Sequence, residues 1–316
     1  MQNHLKKLLL GEQGLVVIFA LAFALVSVMV PNFLTERNML GLLQSVVTVG
    51  IVACTMMFCL AARDFDLSVG SIVAFAGMVA VMASNATGSI ILGIAAALVC
   101  GAVVGFINGV VIAKFRINAL ITTLATMQIV RGLALIASDG RAVGINDPAF
   151  FNIALSKTFG IPSPIWVLVA LFAVFGFILN RTVFGKNTLA IGGNPEASRL
   201  AGVDVGATRI AIFALQGLVC AVAGVLLASR ITSGQPNSAI GLELSVISAC
   251  VLGGVSLAGG RASMAGVIVG VMIMGIAENA MNLLNIPAFY QYIVRGVILL
   301  LAVLLDNLRS QALGRR

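Results

Sequence analysis

Long apolar runs separated by short polar segments follow one another along almost the whole chain. In the first half they cover about residues 14–30, 44–62, 67–84 and 89–113, with a polar turn expected at 31–43. An apolar stretch of about 20 residues forms a helix long enough to cross the hydrocarbon core of a bilayer. The first run is also longer than the core of a typical secretion signal, so it is expected to remain as a helix. The pattern therefore predicts an all-α integral membrane protein.

Composition supports the same class and excludes several functions. Hydrophobic residues make up 60% of the chain and charged residues 9%, which is outside the range of soluble globular proteins. The formal charge of +8 does not indicate a nucleic-acid partner, because the basic residues stand in short clusters between apolar runs. The one histidine, His4, lies in the N-terminal tail, and the five cysteines lie in apolar runs without paired spacing. We therefore expect no metal site and no cofactor.

Four groups of basic residues orient the apolar runs. Basic residues concentrate on the cytoplasmic side of membrane proteins, and an arrangement of about ten helices puts all four groups on that side. The groups are Lys6 and Lys7, Lys114 and Arg116, the basic residues of segment 181–209, and Arg309, Arg315 and Arg316. The later spans are expected between residues 118 and 180, with an outer loop at 138–164, and at about 210–229, 244–257, 264–284 and 289–305. The sequence predicts one transmembrane domain over residues 1–316, with both termini in the cytoplasm.

A short helix is predicted within the polar segment 181–209. Pro195 suits the first helical position, Glu196 suits the positive end of the helix dipole, and Gly202 can end the helix. Residues 196–202 resemble the E-A-A-x-x-x-G loop of ATP-binding cassette importer permeases, with Ser198 in place of the second alanine. In that family this helix docks on the ATPase subunit, which implies a coupling role for Glu196, Ala197, Ser198 and Gly202. An ordinary amphipathic loop helix is the alternative.

The chain carries no G-x-x-x-x-G-K-[ST] loop for nucleotide phosphates. Any energy from ATP must therefore come from a partner.

An internal repeat relates the two halves. Residues 66–71, DLSVGS, align with residues 243–248, ELSVIS, and the same offset superposes Asn108 on Asn285. The offset corresponds to five crossings, so the halves, about 44–137 and 210–305, would enter the membrane from opposite sides, as in many transporters. Asp66 is then expected toward the cytoplasmic half and Glu243 toward the outer half. Chance similarity between apolar segments is the alternative.

Polar residues in the apolar runs are candidates for a substrate pathway. Such residues are costly in lipid and should face protein or water. Neutral hydroxyl and amide groups supply the many donors and acceptors that a sugar or another polyol needs. Helix caps and hydrogen bonds between helices are the alternative roles. The candidates are Asp66, Ser68, Ser71, Thr122, Thr126, Gln128, Glu243, Ser245, Ser248, Asn279 and Asn282.

An ion pair is predicted inside the membrane. Glu278 and Arg295 lie at similar depths of successive helices, and Arg131 reaches a similar level on another helix. A lone charge at that depth is expensive, so Glu278 is expected to pair with Arg295 or with Arg131 and to hold the outer gate helices together.

Four stretches together resemble one family. They are residues 117–145, 184–203, 228–260 and 278–296. They are similar to the permease subunit of bacterial pentose importers of the ATP-binding cassette class, and within it most similar to L-arabinose permeases. One departure is Ala262, where the family often has glycine.

This resemblance implies a sugar permease in the bacterial inner membrane. It implies a homodimer embedded in lipid, two ATPase units and a periplasmic sugar-binding protein. A proton-coupled carrier for a small polar solute is the alternative function. A membrane-embedded enzyme is disfavoured, because the usual nucleophile or metal constellation is missing.

Overall fold

The computed structural model describes residues 12–312. Outside these residues lie His4 and four basic residues that the orientation prediction uses, Lys6, Lys7, Arg315 and Arg316. The described chain is a helix bundle. Its helices are α1 (Glu12–Met29), α2 (Glu36–Ser45), α3 (Val47–Ala61), α4 (Val69–Thr87), α5 (Ile90–Lys114), α6 (Ala119–Ala137), α7 (Asn152–Leu155), α8 (Ser163–Arg181), α9 (Val183–Gly193), α10 (Pro195–Leu200), α11 (Val205–Arg230), α12 (Leu242–Leu252), α13 (Met264–Leu283) and α14 (Ala288–Ala312).

The helices bear out the predicted fold class. Within residues 12–312, seven helical segments are long and apolar enough to cross a membrane, with α2 and α3 counted as one. The others are α4, α5, α6, α8, α11 and α13. Shorter apolar helices cover residues 14–29, 242–252 and 288–304. Together these segments agree with the prediction of about ten spans.

Helix α11 lies at the centre of the bundle and packs against α3, α4 and α5. Glycines let the backbones touch. A Cβ added at Gly105 would lie 2.1 Å from the carbonyl oxygen of Phe213, and one at Gly77 would lie 2.6 Å from that of Gly224. Any side chain at these two positions would push the helices apart, and Gly101 and Gly109 of α5 contact the α11 backbone in the same way.

Short strands join the loops at one end of the bundle. Strand β1 (Val143–Gly144) follows α6 and pairs antiparallel with β4 (Ser233–Gly234), which follows α11. Strands β2 (Lys157–Thr158) and β3 (Ile161–Pro162) form a hairpin just before α8. A 3-10 helix, Pro148–Phe151, lies between β1 and α7. The expected outer loop therefore contains local structure.

Three predicted boundaries are wrong. The expected polar turn at 31–43 contains α2, which is separated from α3 only at Val46. The polar segment 181–209 contains α9 as well as the predicted short helix, and α11 begins at Val205, capped by Asp204, five residues before the expected start at 210. Helix α12 ends at Leu252 rather than near 257, because the chain turns at Gly254 with a φ of 84°.

Candidate functional site

A chain of buried hydrogen bonds links the segment between α3 and α4 to two other helices. The Asp66 Oδ1 atom accepts from the Ser68 amide at 2.9 Å and from the Ser68 hydroxyl at 2.5 Å. Asn108 of α5 donates to the Ser68 Oγ at 3.1 Å, and Thr126 of α6 donates to the Asn108 Oδ1 at 2.6 Å. The donors therefore follow one direction, from Thr126 through Asn108 and Ser68 to the Asp66 carboxylate, and we call this chain the relay.

The relay ends on an incompletely satisfied acid. Asp66, Ser68 and Asn108 are fully buried, and the Asp66 Oδ2 has no hydrogen-bond partner. Burial raises the pKa of Asp66 to about 6, although the bonds from Ser68 oppose the shift. Asn108 was not among the predicted site residues. Its isolated amide within the apolar helix α5 was the signal that could have identified it.

Glu243 and Gly70 bring the two repeat-related segments together. A Cβ added at Gly70 would lie 2.7 Å from the Glu243 Oε2 and 2.5 Å from the carbonyl oxygen of Ala239. Glu243 therefore lies against α4 at Gly70, which is four residues after Asp66 in the sequence. Arg131 of α6 donates to the carbonyl oxygens of Pro236 and Ser238, the latter at 3.0 Å. Arg131 thus holds the segment that leads into α12.

The remaining polar candidates divide by their contacts. The hydroxyls of Ser71, Thr122 and Ser248 donate to carbonyl oxygens within one turn of their own chain, and Ser245 is buried. Asn279 exchanges two amide hydrogen bonds with Asn38 of α2, at 2.8 and 2.9 Å. Asn282 is exposed and accepts from Gln291, whereas Gln128 is exposed on α6. The asparagines of α13 therefore lie in contacts between helices and not beside the relay.

Glu278 contacts Arg295. The Arg295 Nε lies 2.9 Å from the Glu278 Oε1, so the pair joins α13 to α14. The Nε atom has no aligned hydrogen-bond acceptor, so the contact is an ion pair. The Arg295 guanidinium also lies 5.7 Å from the centre of the Tyr292 ring. Arg131, the other partner that was considered, is bound elsewhere.

Helix α10 is capped on both sides. The Asn194 Oδ1 accepts from the amides of Glu196 and Ala197 at 3.1 and 3.0 Å. Ser198 is buried and donates to the Asn194 carbonyl, whereas Leu200 is 78% exposed. Gly202 ends the helix with a φ of 85° and open space around its Cα. The short helix is therefore fixed by hydrogen bonds at its start and exposes the apolar side chain of Leu200.

A cavity of about 840 Å³ lies beside α10. Four arginines and two acids are among its lining residues: Arg63, Arg116, Arg199, Arg209, Asp64 and Glu196. Asp64 forms an ion pair with Arg209 at 3.0 Å, yet burial raises the pKa of Asp64 to about 6. The cavity brings together basic residues from two of the four predicted cytoplasmic groups, with Arg63 added from the segment after α3.

Three backbone segments interlock behind α10. Arg63 donates to the Gly193 carbonyl at 2.9 Å, and the Gly260 amide donates to the Ala61 carbonyl at 2.9 Å. A Cβ added at Gly192 would lie 1.7 Å from the Ala61 oxygen. We call residues 61–63, 192–193 and 259–260 the glycine junction. Within residues 12–312, no group of three or more His, Cys, Asp or Glu side chains could hold a metal ion.

Comparison with known proteins gives a consistent result. A family model described as branched-chain amino acid transport system / permease component matches residues 38–303. The L-arabinose transport system permease protein AraH of Escherichia coli (strain K12) is 57% identical over 301 residues, which is 95% of this chain and 92% of that protein. The L-arabinose ABC transporter permease protein AraH of Azospirillum brasilense is 56% identical over 95% of this chain and 89% of its own length.

More distant relatives are also similar over most of their length. The ribose import permease protein RbsC of Escherichia coli (strain K12) is 36% identical over 97% of both chains. No solved structure matches the chain.

Proposed function

The chain belongs to the family of permease components of branched-chain amino acid transport systems, and on that premise we propose that it imports L-arabinose. The observation that supports this substrate is 57% identity to an L-arabinose permease, against 36% to a ribose permease over similar lengths. The chain is a multi-pass subunit of the bacterial inner membrane. Its ATPase and its periplasmic binding protein are separate chains.

Uptake of labelled sugar tests this proposal. Cells that lack their own pentose permeases would express this chain with an L-arabinose ATPase and binding protein. We expect L-arabinose uptake that needs the ATPase, with no competition from ribose or leucine. Uptake of ribose or leucine instead would reassign the substrate. Uptake that persists without the ATPase and stops with a protonophore would indicate a proton-coupled carrier.

Helix α10 is proposed as the contact for the ATPase. Its side chains divide as a docking helix requires, because Ser198 is buried against the permease while Leu200 projects outward. Glu196 and Arg199 pair with each other at 2.7 Å and are exposed. The arginine-lined cavity beside α10 would then open to the cytoplasm, as the positive-inside rule expects. On this orientation both termini are cytoplasmic.

The glycine junction is proposed to transmit movement from α10 into the membrane. Gly193 directly precedes the Asn194 cap of α10, and Arg63 on its other side lies three residues before Asp66. From Asp66 the relay continues through Ser68 and Asn108 to Thr126 on α6. Rigid contacts of this kind can carry a displacement when two arrangements exist. The pathway would therefore lie along α6 and the starts of α4 and α12.

A second copy of the chain is proposed against α6. Gln128 lies nine residues from the start of α6, roughly 14 Å along the helix, and is exposed beside Ile121 and Leu124. An amide directed into lipid at that depth is costly. A partner copy, or a water-filled path between two copies, would satisfy it. Crosslinking of Gln128→Cys in a Cys100→Ser background, with Val99→Cys on α5 as the control, tests this arrangement.

A further inference from the structure

The hairpin of β2 and β3 exposes an aromatic ring in an uncommon backbone conformation. Phe159 and Gly160 form its two-residue turn, with φ of 54° and 78°. Two-residue turns with positive φ at both positions favour asparagine and glycine, so a phenylalanine there is unexpected. The Phe159 side chain is 93% exposed, and Leu155 nearby is 50% exposed. No other part of the described chain covers this ring.

Hydrogen bonds fix the hairpin on the first turn of α8. The Trp166 indole donates to the Thr158 carbonyl at 3.3 Å. The Ser163 amide donates to the Ser156 carbonyl at 2.9 Å, and the Ser163 hydroxyl donates to the Ile153 carbonyl at 2.7 Å. The hairpin is therefore held at the level where a membrane-spanning helix begins.

An apolar stripe on α8 continues the same surface. Trp166 is 42% exposed, and Val169 and Phe177 are exposed three and eleven residues further along the same face. A helix of 19 residues that is long and apolar enough to cross a membrane exposes such a stripe where lipid can cover it. Trp166 stands at the end of this stripe, directly beneath the hairpin. The exposed ring of Phe159 therefore lies near the end of this apolar stripe.

We propose that the β2–β3 hairpin is an interfacial anchor that places Phe159 at the boundary between the lipid headgroups and the acyl chains. Aromatic rings concentrate at this level of membrane proteins. The exposed Lys157 stands two residues before Phe159 in the same hairpin, and lysine side chains extend toward lipid phosphates from such positions. The bilayer surface would then cover the ring and hold the loop after α6 against the start of α8.

The single tryptophan of the chain makes the proposal measurable. The full-length protein would be placed in lipid nanodiscs that carry bromine either near the headgroup or near the chain ends, and iodide would be added to the water. Three proteins would be compared: the native chain, a Phe159→Trp and Trp166→Phe variant, and a Leu200→Trp and Trp166→Phe variant. The last one is the control, because Leu200 is 78% exposed on α10.

We expect the indole at position 159 to emit at shorter wavelength than the indole at position 200. Lipid with bromine near the headgroup should quench it most strongly, and iodide only weakly. Native Trp166 should show the same order of quenching, which tests the level of the hairpin even if the relocated tryptophan disturbs folding. Iodide quenching at position 159 as strong as at position 200 would overturn the proposal. A blue shift that appears only when a sugar-loaded binding protein is added would also overturn it, in favour of a protein contact.

Discussion

Removing one charge of the Glu278 and Arg295 pair should destabilise the contact between α13 and α14. We predict this for Glu278→Gln and for Arg295→Gln, because each leaves one partly enclosed charge without its partner at 2.9 Å. Breaking a fully buried pair costs about 3–5 kcal/mol, and an exposed pair contributes under about 1 kcal/mol. The Glu278 and Arg295 side chains are 21% and 27% exposed, so an intermediate loss of about 1–3 kcal/mol is expected.

The charge-swapped double variant separates the attraction between the two charges from the other contacts of each side chain. Glu278→Arg with Arg295→Glu keeps one charge of each sign across α13 and α14. We expect it to recover part of the loss but not all, because the swap also removes the guanidinium from the face of Tyr292. Arg131→Gln should show no such coupling to Glu278 in a double-mutant cycle, since Arg131 is bound to carbonyl oxygens elsewhere.

The assays are folded yield in detergent, the midpoint of thermal unfolding in nanodiscs, and L-arabinose uptake. Glu196→Gln is the matched control, because it breaks an ion pair of the same type whose two side chains are 67% exposed. That variant should have the same unfolding temperature as the native protein. Normal yield, unfolding temperature and uptake in both Gln variants at 278 and 295 would refute the reasoning. Glu278 would then be a solvated residue of the outer vestibule.

Four further predictions concern α10, the glycine junction, Asn108 and Asp64. Gly202→Val should abolish uptake while the permease still inserts, whereas Gly88→Val should keep more uptake, because Gly88 also ends a helix with positive φ and open space but lies away from α10. Equal losses of uptake in the two variants, or ATPase association and uptake that survive Gly202→Val, would contradict docking at α10. Gly192→Ala should uncouple ATP hydrolysis from uptake or prevent assembly, because its methyl group would meet the Ala61 oxygen at 1.7 Å, whereas Gly193→Ala meets nothing within 4 Å and should be silent in both assays. Asn108→Ala removes two hydrogen bonds, so it should lower the free energy of unfolding by about 1–3 kcal/mol, with a lower unfolding temperature and reduced uptake. Unchanged stability would contradict a structural role for the hydrogen-bond relay. The pKa of Asp64 is raised to about 6, so its contribution to stability is present below its ordinary pKa and is lost as pH rises through about 6; Asp64→Asn should flatten the measured fall of stability over that range, and an unchanged slope would exclude Asp64 as its source.

Local chemistry explains which parts of the fold were predictable from sequence. Pro195, Glu196 and Gly202 mark the limits of α10 through their own backbone and charge preferences, and the structure has the helix there. The sequence predicts a turn at α2, because its polar residues interrupt the apolar pattern, and Glu36 in its first turn is too weak a signal to outweigh that pattern. Its stability depends on distant contacts, with Leu42 buried and Asn38 bonded to Asn279 across the bundle. Helix α9 was missed for the same reason, since Ile191 is buried against other segments.

The same division holds for the candidate site. Asp66 and Ser68 are two residues apart, so their contact follows from a local motif. Asn108 and Thr126 reach them from two other helices, and only the packing of α5 and α6 decides that meeting. Glu278 had two possible partners of similar depth, and depth alone could not choose between them. The partner depends on which helices are neighbours, and helix neighbours could not be predicted from this one sequence.

The contact between Gly70 and Glu243 shows why the two proposed repeat copies differ at one aligned position. Gly70 aligns with Ile247, so one copy has the smallest side chain where the other has a branched one. At Gly70 a methyl group would meet the Ala239 oxygen at 2.5 Å and the Glu243 carboxylate at 2.7 Å, whereas Ile247 is buried within the apolar core. The start of α12 can therefore press against α4 only because position 70 lacks a Cβ. Position 247 makes no such backbone contact with the other copy, so it can carry a branched side chain. A strict repeat with isoleucine at both positions would place a side chain at position 70, where it would collide with Ala239 and Glu243 and exclude this contact.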